Sequence, residues 1–295
     1  MKVFGKHIVL MSMLALLFLA ICGCSLEGEA WLGYSDEAEM PAVAVSIIPE
    51  QTFVEKVCGD LVSVVTLVPP GYSPESYGPT PQEMLAFSDA DIYFSIGIPL
   101  EETNIIPVLS EDTKQVSLAD ACSEVYPDLA IDKGRDPHIW LSPKRAIVMV
   151  KCISDEMCEL DPANADIYSA NAAAYIEEIL GVDLEISEIL SDLEKRSFIA
   201  FHPAFGYFAD EYGLTMYVLE QNGKEATADR LTQIIDYAEV NEIKVIFYQA
   251  EVDSRQAEAL AEEIGGVTAK LDPLSADYTG NLKSMAEKLA EGMSR

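Results

Sequence analysis

From residue 42 onward, short runs rich in β-branched and aromatic residues alternate with amphipathic segments, and no other feature of the chain constrains its fold as strongly. AVAVSII (42–48), VSVVTLV (62–68) and DIYFSIG (91–97) read as strands, with QTFVEKVCG and PQEMLAFSDA as helices between them. The scheme returns after residue 197. SFIAFH, LTMYVLE, IKVIFYQ and VTAKLDP read as strands, and FGYFADEYG, TADRLTQIIDYAEVNE, SRQAEALAEEIGG and NLKSMAEKLAEG as helices. Strands joined through helices run parallel, because the crossover returns the chain to the same edge of its sheet. The expectation is an α/β protein with an N-terminal lobe at 42–160 and a C-terminal lobe at 197–295.

Between the lobes, Asp161-Pro162 offers a helix start, and Tyr168, Ala172, Tyr175, Ile179, Ile186, Leu190 and Leu193 recur at mostly helical spacing. A linking helix over 161–196, continuous to Glu194, would run roughly 50 Å and act as a spine rather than a hinge. Gly181 is where it would kink, at a cost of about 1 kcal/mol against Ala.

The first residues are not part of that fold. Lys2 and Lys6 precede the apolar run Ile8 to Cys22, too short for a comfortable membrane span, which marks residues 1–23 as a signal peptide. Its end, Ile21-Cys22-Gly23-Cys24, resembles the box cleaved before an acylated cysteine, so Cys24 is the expected lipidation site. Cysteine at 22 departs from that pattern, where Ala or Ser is commoner. Residues 24–41 read as an acidic linker between anchor and domain.

Charge narrows the partners. With 50 Asp+Glu against 19 Lys+Arg the formal net charge is −31, which excludes a nucleic-acid binder, because phosphate contacts need a basic face. Four cysteines follow the lipidation site: Cys58, Cys122, Cys152 and Cys158. Cys152 and Cys158 lie about 120° apart round a helix and cannot bridge within it, and the absence of CxxC argues against a thiolate zinc cluster. Buried free thiols are the plainest reading. Enzyme signatures are also missing: there is no GxGxxG after a strand, no GxxxxGK[ST], no HExxH and no GxSxG.

Four residues stand in loops beyond strands or at the start of ordered segments. Glu75 lies in VPPGYSPESYGPTP, His138 in RDPHIWLSP, His202 ends SFIAFH, and Asp272 ends VTAKLD. Loops after parallel strands gather at one sheet edge, so these residues can converge from distant parts of the chain. Each neighbours a proline (Pro74, Pro137, Pro203 and Pro273), which holds a ligand loop rigid before a ligand arrives. Taken singly, a histidine at a strand end serves more often as a structural hydrogen-bonding group than as a ligand, and Asp272 before Pro273 could cap a turn.

The strings VPPGYSPESYGPTPQEM, DPHIWLSP, AFHPAFGYFADEYGL, EQNGKEATADRLTQII and LDPLSADYTGNL resemble, over roughly residues 42–293, the substrate-binding lipoproteins of zinc and manganese ABC importers. The resemblance implies two pseudo-symmetric α/β lobes joined by a long rigid helix, with one metal ion in the cleft. It implies no enzymatic activity, an extracytoplasmic position on the outer face of the membrane or in the periplasm, and a membrane permease as partner. His138 and His202 match the second and third ligand positions, and Asp272 the acidic fourth. At the first position, where Pro-His is common, this chain has Pro74-Glu75. The set of two His and two acids is manganese-like in count, yet the third slot holds the zinc-like His. Many zinc binders carry a His-rich loop before the second ligand; here residues 110–136 are acidic. Carboxylates suit harder Mn²⁺ and imidazoles suit Zn²⁺, and intrinsic affinity favours zinc, so Zn²⁺ is expected, with Mn²⁺ or Fe²⁺ as the alternative. Competing readings are binding of a metal chelate such as haem or a siderophore, and a zinc hydrolase using His138, His202 and one acid with an open water position. Should Glu75 not be a ligand, Glu251 is a candidate in its stead.

Overall fold

The computed structural model describes residues 40–131, 134–220, 226–251 and 255–295, and Met40–Arg295 form one compact unit. The expected signal peptide, Cys24 and all but the last two residues of the 24–41 linker lie outside the described residues. Among the described residues no helix is long and apolar enough to cross a membrane.

The N-terminal half builds a parallel sheet from β1 (Ala42–Val45), β2 (Ser63–Thr66), β3 (Ile92–Ser95) and β4 (Lys114–Ser117), in the order β2-β1-β3-β4. Between them run α1 (Ile48–Cys58), α2 (Pro81–Ser88) and, after β4, α3 (Leu118–Ser123). A two-stranded antiparallel ribbon follows, β5 (Ala130–Ile131) with β6 (Gly134–Arg135), and then α4 (Pro143–Leu160) and α5 (Ala165–Ile189). The C-terminal half repeats the first: β7 (Ser197–Ala200), α6 (Gly206–Glu211), β8 (Thr215–Val218), α7 (Ala228–Val240), β9 (Val245–Gln249), α8 (Arg255–Glu263), β10 (Val267–Leu271) and α9 (Tyr278–Met293). Its sheet, β10-β9-β7-β8, has the strand order of the first sheet read from the other edge. The two α/β lobes are thus topologically equivalent.

Register follows burial. β1 is central, with Val43 opposite Val64 on one side and Ile92 on the other, and Val43, Ala44 and Val45 are fully buried. A strand covered on both faces reads as a continuous apolar run, as AVAV does. In β7, Phe198 and Ala200 face one core while Ile199 faces a second, formed with Ile234 and Ala238 of α7, Ile246, and Ala257 and Leu260 of α8. The first core is larger and is shared: it runs from Val43 and Phe53 through Trp140, Ile153 and Tyr168 to Phe198, Phe208, Leu282 and Met293.

The spine differs in length from expectation. Asp161 and Pro162 open a 3₁₀ turn (Pro162–Asn164), where the Asp161 carboxylate accepts from Asn164 Nδ2 (2.6 Å) and Tyr168 Oη (2.7 Å). The α-helix starts at Ala165, passes Gly181 without interruption and stops at Ile189, which makes it about 37 Å long. Tyr168, Ala172, Tyr175, Ile179 and Ile186 form its buried stripe, and α5 packs on α1 and α4 of the first half and on α9 of the second. Further ties join the halves: Trp140 Nε1 donates to the Pro273 carbonyl (2.7 Å), Tyr278 Oη to the Trp140 carbonyl (2.6 Å) and Thr52 Oγ1 to the Ala276 carbonyl (3.0 Å). Cys58, Cys122, Cys152 and Cys158 are free thiols, the first two buried. Burial pushes the Cys58 and Cys122 thiols up to about 12, leaving them unreactive at neutral pH.

Candidate metal centre

Three of the four expected residues meet at the edge where the parallel strands end. Beyond β2 the chain turns at Ser73, whose carbonyl accepts the N–H groups of Ser76 and Tyr77, and Ser73 Oγ donates to Glu75 Oε2. This turn fixes Glu75 with its other oxygen, Oε1, aimed at two imidazoles. His138 follows Pro137 and opens the 3₁₀ turn Ile139–Leu141. His202 lies just past β7, where the Phe201 N–H donates to the Phe247 carbonyl (2.7 Å), and Pro203 starts the turn into α6. Glu75 Oε1 stands 3.4 Å from His138 Nε2 and 3.3 Å from His202 Nε2. One ligand atom from each residue lies within 4.8 Å of the others. Donors on a tetrahedral zinc ion with bonds of about 2.0–2.1 Å are separated by about 3.3 Å, so the spacing suits a single small cation.

Each imidazole is backed by a carboxylate that sequence reasoning did not single out. Asp136 Oδ1 accepts from the His138 backbone N–H (2.9 Å) and bonds the ring Nδ1 (2.8 Å); Glu220 Oε2 bonds His202 Nδ1 (2.6 Å). A carboxylate on Nδ1 fixes ring orientation and turns Nε2 inward. Asp136 was open to discovery, since an acid two residues before a His can reach its backbone. Glu220 was not. It lies just past the neighbouring strand β8, where its N–H donates to the Phe201 carbonyl (2.8 Å), a pairing visible only in the sheet.

The electrostatics favour positive charge between Glu75 and the two imidazoles. Burial works against the charged form of His202, but Glu220 and Glu75 outweigh it and raise its pKa to about 9. Burial likewise opposes charging of His138, and Asp136 and Glu75 overcome it. Desolvation also opposes ionisation of Glu75, but hydrogen bonds from His138 and Ser73 and the facing His202 imidazole hold its carboxyl well below the usual range. Its side chain is 37% exposed, so water softens that effect. Protons on the imidazoles thus neutralise Glu75 where a metal would. Among the described residues, nothing hydrogen-bonds the buried His202 Nε2 or Glu251 Oε2 just past β9. Burial raises the Glu251 pKa, and repulsion from Asp272 and Glu75 adds to it, which puts the three acids within electrostatic reach.

Asp272 stands apart from the three-residue set. Its Oδ1 accepts from the Leu274 N–H (3.1 Å) and its carbonyl from Asn281 Nδ2 (2.5 Å), the arrangement of a turn cap.

The family model described as zinc-uptake complex component A, periplasmic (ZnuA), matches residues 43–292. The chain belongs to the ZnuA family. Among its relatives, the zinc-binding lipoprotein AdcA of Streptococcus pneumoniae is 29% identical over 91% of this chain, which spans 55% of the length of AdcA. The manganese-binding lipoprotein MntA of Halalkalibacterium halodurans is 27% identical over 88% of this chain and 87% of its own length. A crystal structure of ZnuA superposes with a TM-score of 0.81 at 38% identity, covering 86% of this chain and all of that one. Membership of the ZnuA family and its two-lobed α/β fold with a long helix bear out what the sequence motifs implied. The family is one of metal uptake rather than of enzymes.

Proposed function

We propose that this protein is the extracytoplasmic substrate-binding component of a metal ABC importer, which captures one divalent transition ion and hands it to a membrane permease. The observation that carries the reading is the meeting of Glu75 Oε1 with the Nε2 atoms of His138 and His202, brought from both halves of the chain. Two imidazoles and a carboxylate at this spacing suit Zn²⁺. A carboxylate in the first position favours Mn²⁺ or Fe²⁺ more than an imidazole would, and a relative named for manganese supports keeping that alternative. A fourth donor completes the set: Asp272, by its position in the motif, or Glu251, by its unpartnered Oε2.

The domain arrangement belongs to the same proposal: a signal peptide at 1–23, acylated Cys24, an acidic linker to 41, an N-terminal lobe to 160, a linking segment at 161–196 and a C-terminal lobe from 197. Lipidation at Cys24 would hold the protein at the outer face of the membrane, near its permease. The chelate and hydrolase alternatives fit less well. A chelate does not call for three converging donors, and neither backing carboxylate is free to serve as a general base.

Thermal unfolding with and without Zn²⁺ tests the function, since a ligand bound only by the folded state raises its stability by mass action. The expected result is a clear upward shift in the parent that His138→Ala and His202→Ala each abolish. An unchanged shift in those variants would overturn the site. Asp272→Asn and Glu251→Gln then separate the fourth donors, the true ligand showing the larger loss of Zn²⁺ affinity.

A further inference from the structure

Asp136 is 1% exposed, and its surroundings come from the second half of the molecule. A Cβ built on Gly206 would stand 2.7 Å from Asp136 Oδ2, closer than any ordinary carbon contact, with Leu129 Cδ1 at 3.9 Å on the same side. The next residue, Tyr207, is fully buried, and its hydroxyl accepts from the Leu129 N–H (3.1 Å). Leu129 in turn accepts the Asp136 N–H at its carbonyl (2.8 Å). The start of α6, four residues after His202, therefore abuts both ends of the Leu129–Asp136 segment that leads into His138.

Nothing in the backbone demands glycine at this position. Gly206 has φ −59° and ψ −51°, ordinary right-handed helix, where alanine would be favoured by about 1 kcal/mol. Room is what glycine supplies. A methyl group there would have to displace a carboxylate that is walled in and bonded at once to the backbone and the ring of His138.

We propose that Gly206 is a positioning residue for metal capture: its missing side chain is the seat of Asp136, so the segment bearing one imidazole ligand sets the orientation of the other. This rests on the metal-binding reading above and adds to it a coupling between the two histidine loops. The two imidazoles then present their Nε2 atoms as one preorganised pair.

A double-mutant cycle tests it, with Gly206→Ala, Asp136→Ala and the double variant, each titrated with Zn²⁺ against a chromophoric chelator. Loss of a backing carboxylate typically weakens metal binding about 10–100-fold, so Asp136→Ala should fall in that range and Gly206→Ala should approach it. The double variant should bind no more weakly than Asp136→Ala alone, because the clash is gone. Losses that multiply would overturn the proposal. A second readout needs no metal. In ¹⁵N spectra of the metal-free protein, Gly206→Ala should shift the His138 ring nitrogens and leave those of His202 in place; unchanged His138 signals would overturn the coupling even if Zn²⁺ binds elsewhere. If Gly206→Ala alone does not fold, restored folding in the double variant supports the clash, and failure of both refutes it. Absence of Zn²⁺ binding in the parent would instead overturn the functional reading and leave the spectra to judge the positioning.

Discussion

Glu75 is the residue at which this site departs from a three-imidazole set, and its placement makes its role testable. Because Oε1 faces both Nε2 atoms, Glu75→His would put a borderline-soft nitrogen where a hard anion now stands. Competition between Zn²⁺ and Mn²⁺ should then shift toward zinc by about tenfold or more, measured by titration at fixed pH. Proton linkage gives a second expectation. His202, raised from 6.5 to about 9, stabilises the metal-free fold fully below about 6.5, and that contribution is lost as pH rises through 9. Glu75, held below 4.5, contributes above that value and loses the contribution as pH falls through its lowered pKa. The metal-free site is therefore most stabilising between about 4.5 and 6.5, whereas zinc must displace the imidazole protons. The Zn²⁺-induced rise in unfolding temperature should accordingly grow from pH 5.5 to pH 8.5, and a rise that is flat or shrinks over that span would contradict the ligand assignment. The two histidines that face Glu75 were legible because each adjoins a proline in a loop at the start or end of an ordered segment. Their backing carboxylates divide: Asp136 was within reach of local reasoning, while Glu220 depends on strand pairing between β7 and β8.

At the scale of elements, seven of the eight strands in the two parallel sheets were legible and β4 was not. AVAV, IYFS and VIFYQ are covered on both faces and announce themselves. β4, with the sequence KQVS, lies at a sheet edge and carries no pattern to read. The buried stripe identifies the linking helix, but Leu190 and Leu193 continue its apolar spacing after the helix has closed at Ile189, so spacing alone puts the end at Glu194. Beyond the ends of β1 and β3, two buried acids meet unexpectedly. Glu50 at the start of α1 is fully buried, with Oε2 accepting the N–H groups of Ser46 and Ile47 (both 3.0 Å) and Oε1 unpartnered. Glu101, 2% exposed, accepts from Ser46 Oγ (2.6 Å) and from the N–H groups of Ile96 and Gly97. Burial raises both pKa values, and Glu101 adds to the effect on Glu50. The pair is favourable while protonated, so its contribution is complete below 4.5 and declines as pH rises through the elevated folded values. Glu50→Gln keeps an acceptor for the helix start and removes the ionisable group. It should raise the unfolding temperature at pH 8 by about 2–4 °C, as about 1 kcal/mol does in a protein near this size, and change it less at pH 5. Calorimetry at the two pH values checks this.

Across the whole molecule, the shared core and the short bonds between halves oppose hinge closure. Trp140, two residues after His138, donates to Pro273 next to Asp272, so the loops carrying two of the proposed ligands are already joined. Small-angle scattering profiles of the metal-free and Zn²⁺-loaded protein should superpose, with release achieved by local loop movement; a marked compaction on loading would mean the spine bends. Anchoring is the corresponding expectation outside the described residues. Cys24→Ala should release the protein from membranes into the soluble fraction, and retention through an uncleaved apolar segment would contradict lipidation. The core also imposes an order of events on folding. Its first strand begins at Ala42, and its last helix contributes Leu282, Met285, Leu289 and Met293 to the cluster that Val43 enters. Contacts between opposite ends of the sequence close only after nearly all of it is free to fold, and such distant pairings are slow to form. A chain emerging N-terminus first through a narrow export channel could complete this shared core only once α9 had cleared it, so the last step of compaction falls at the end of passage.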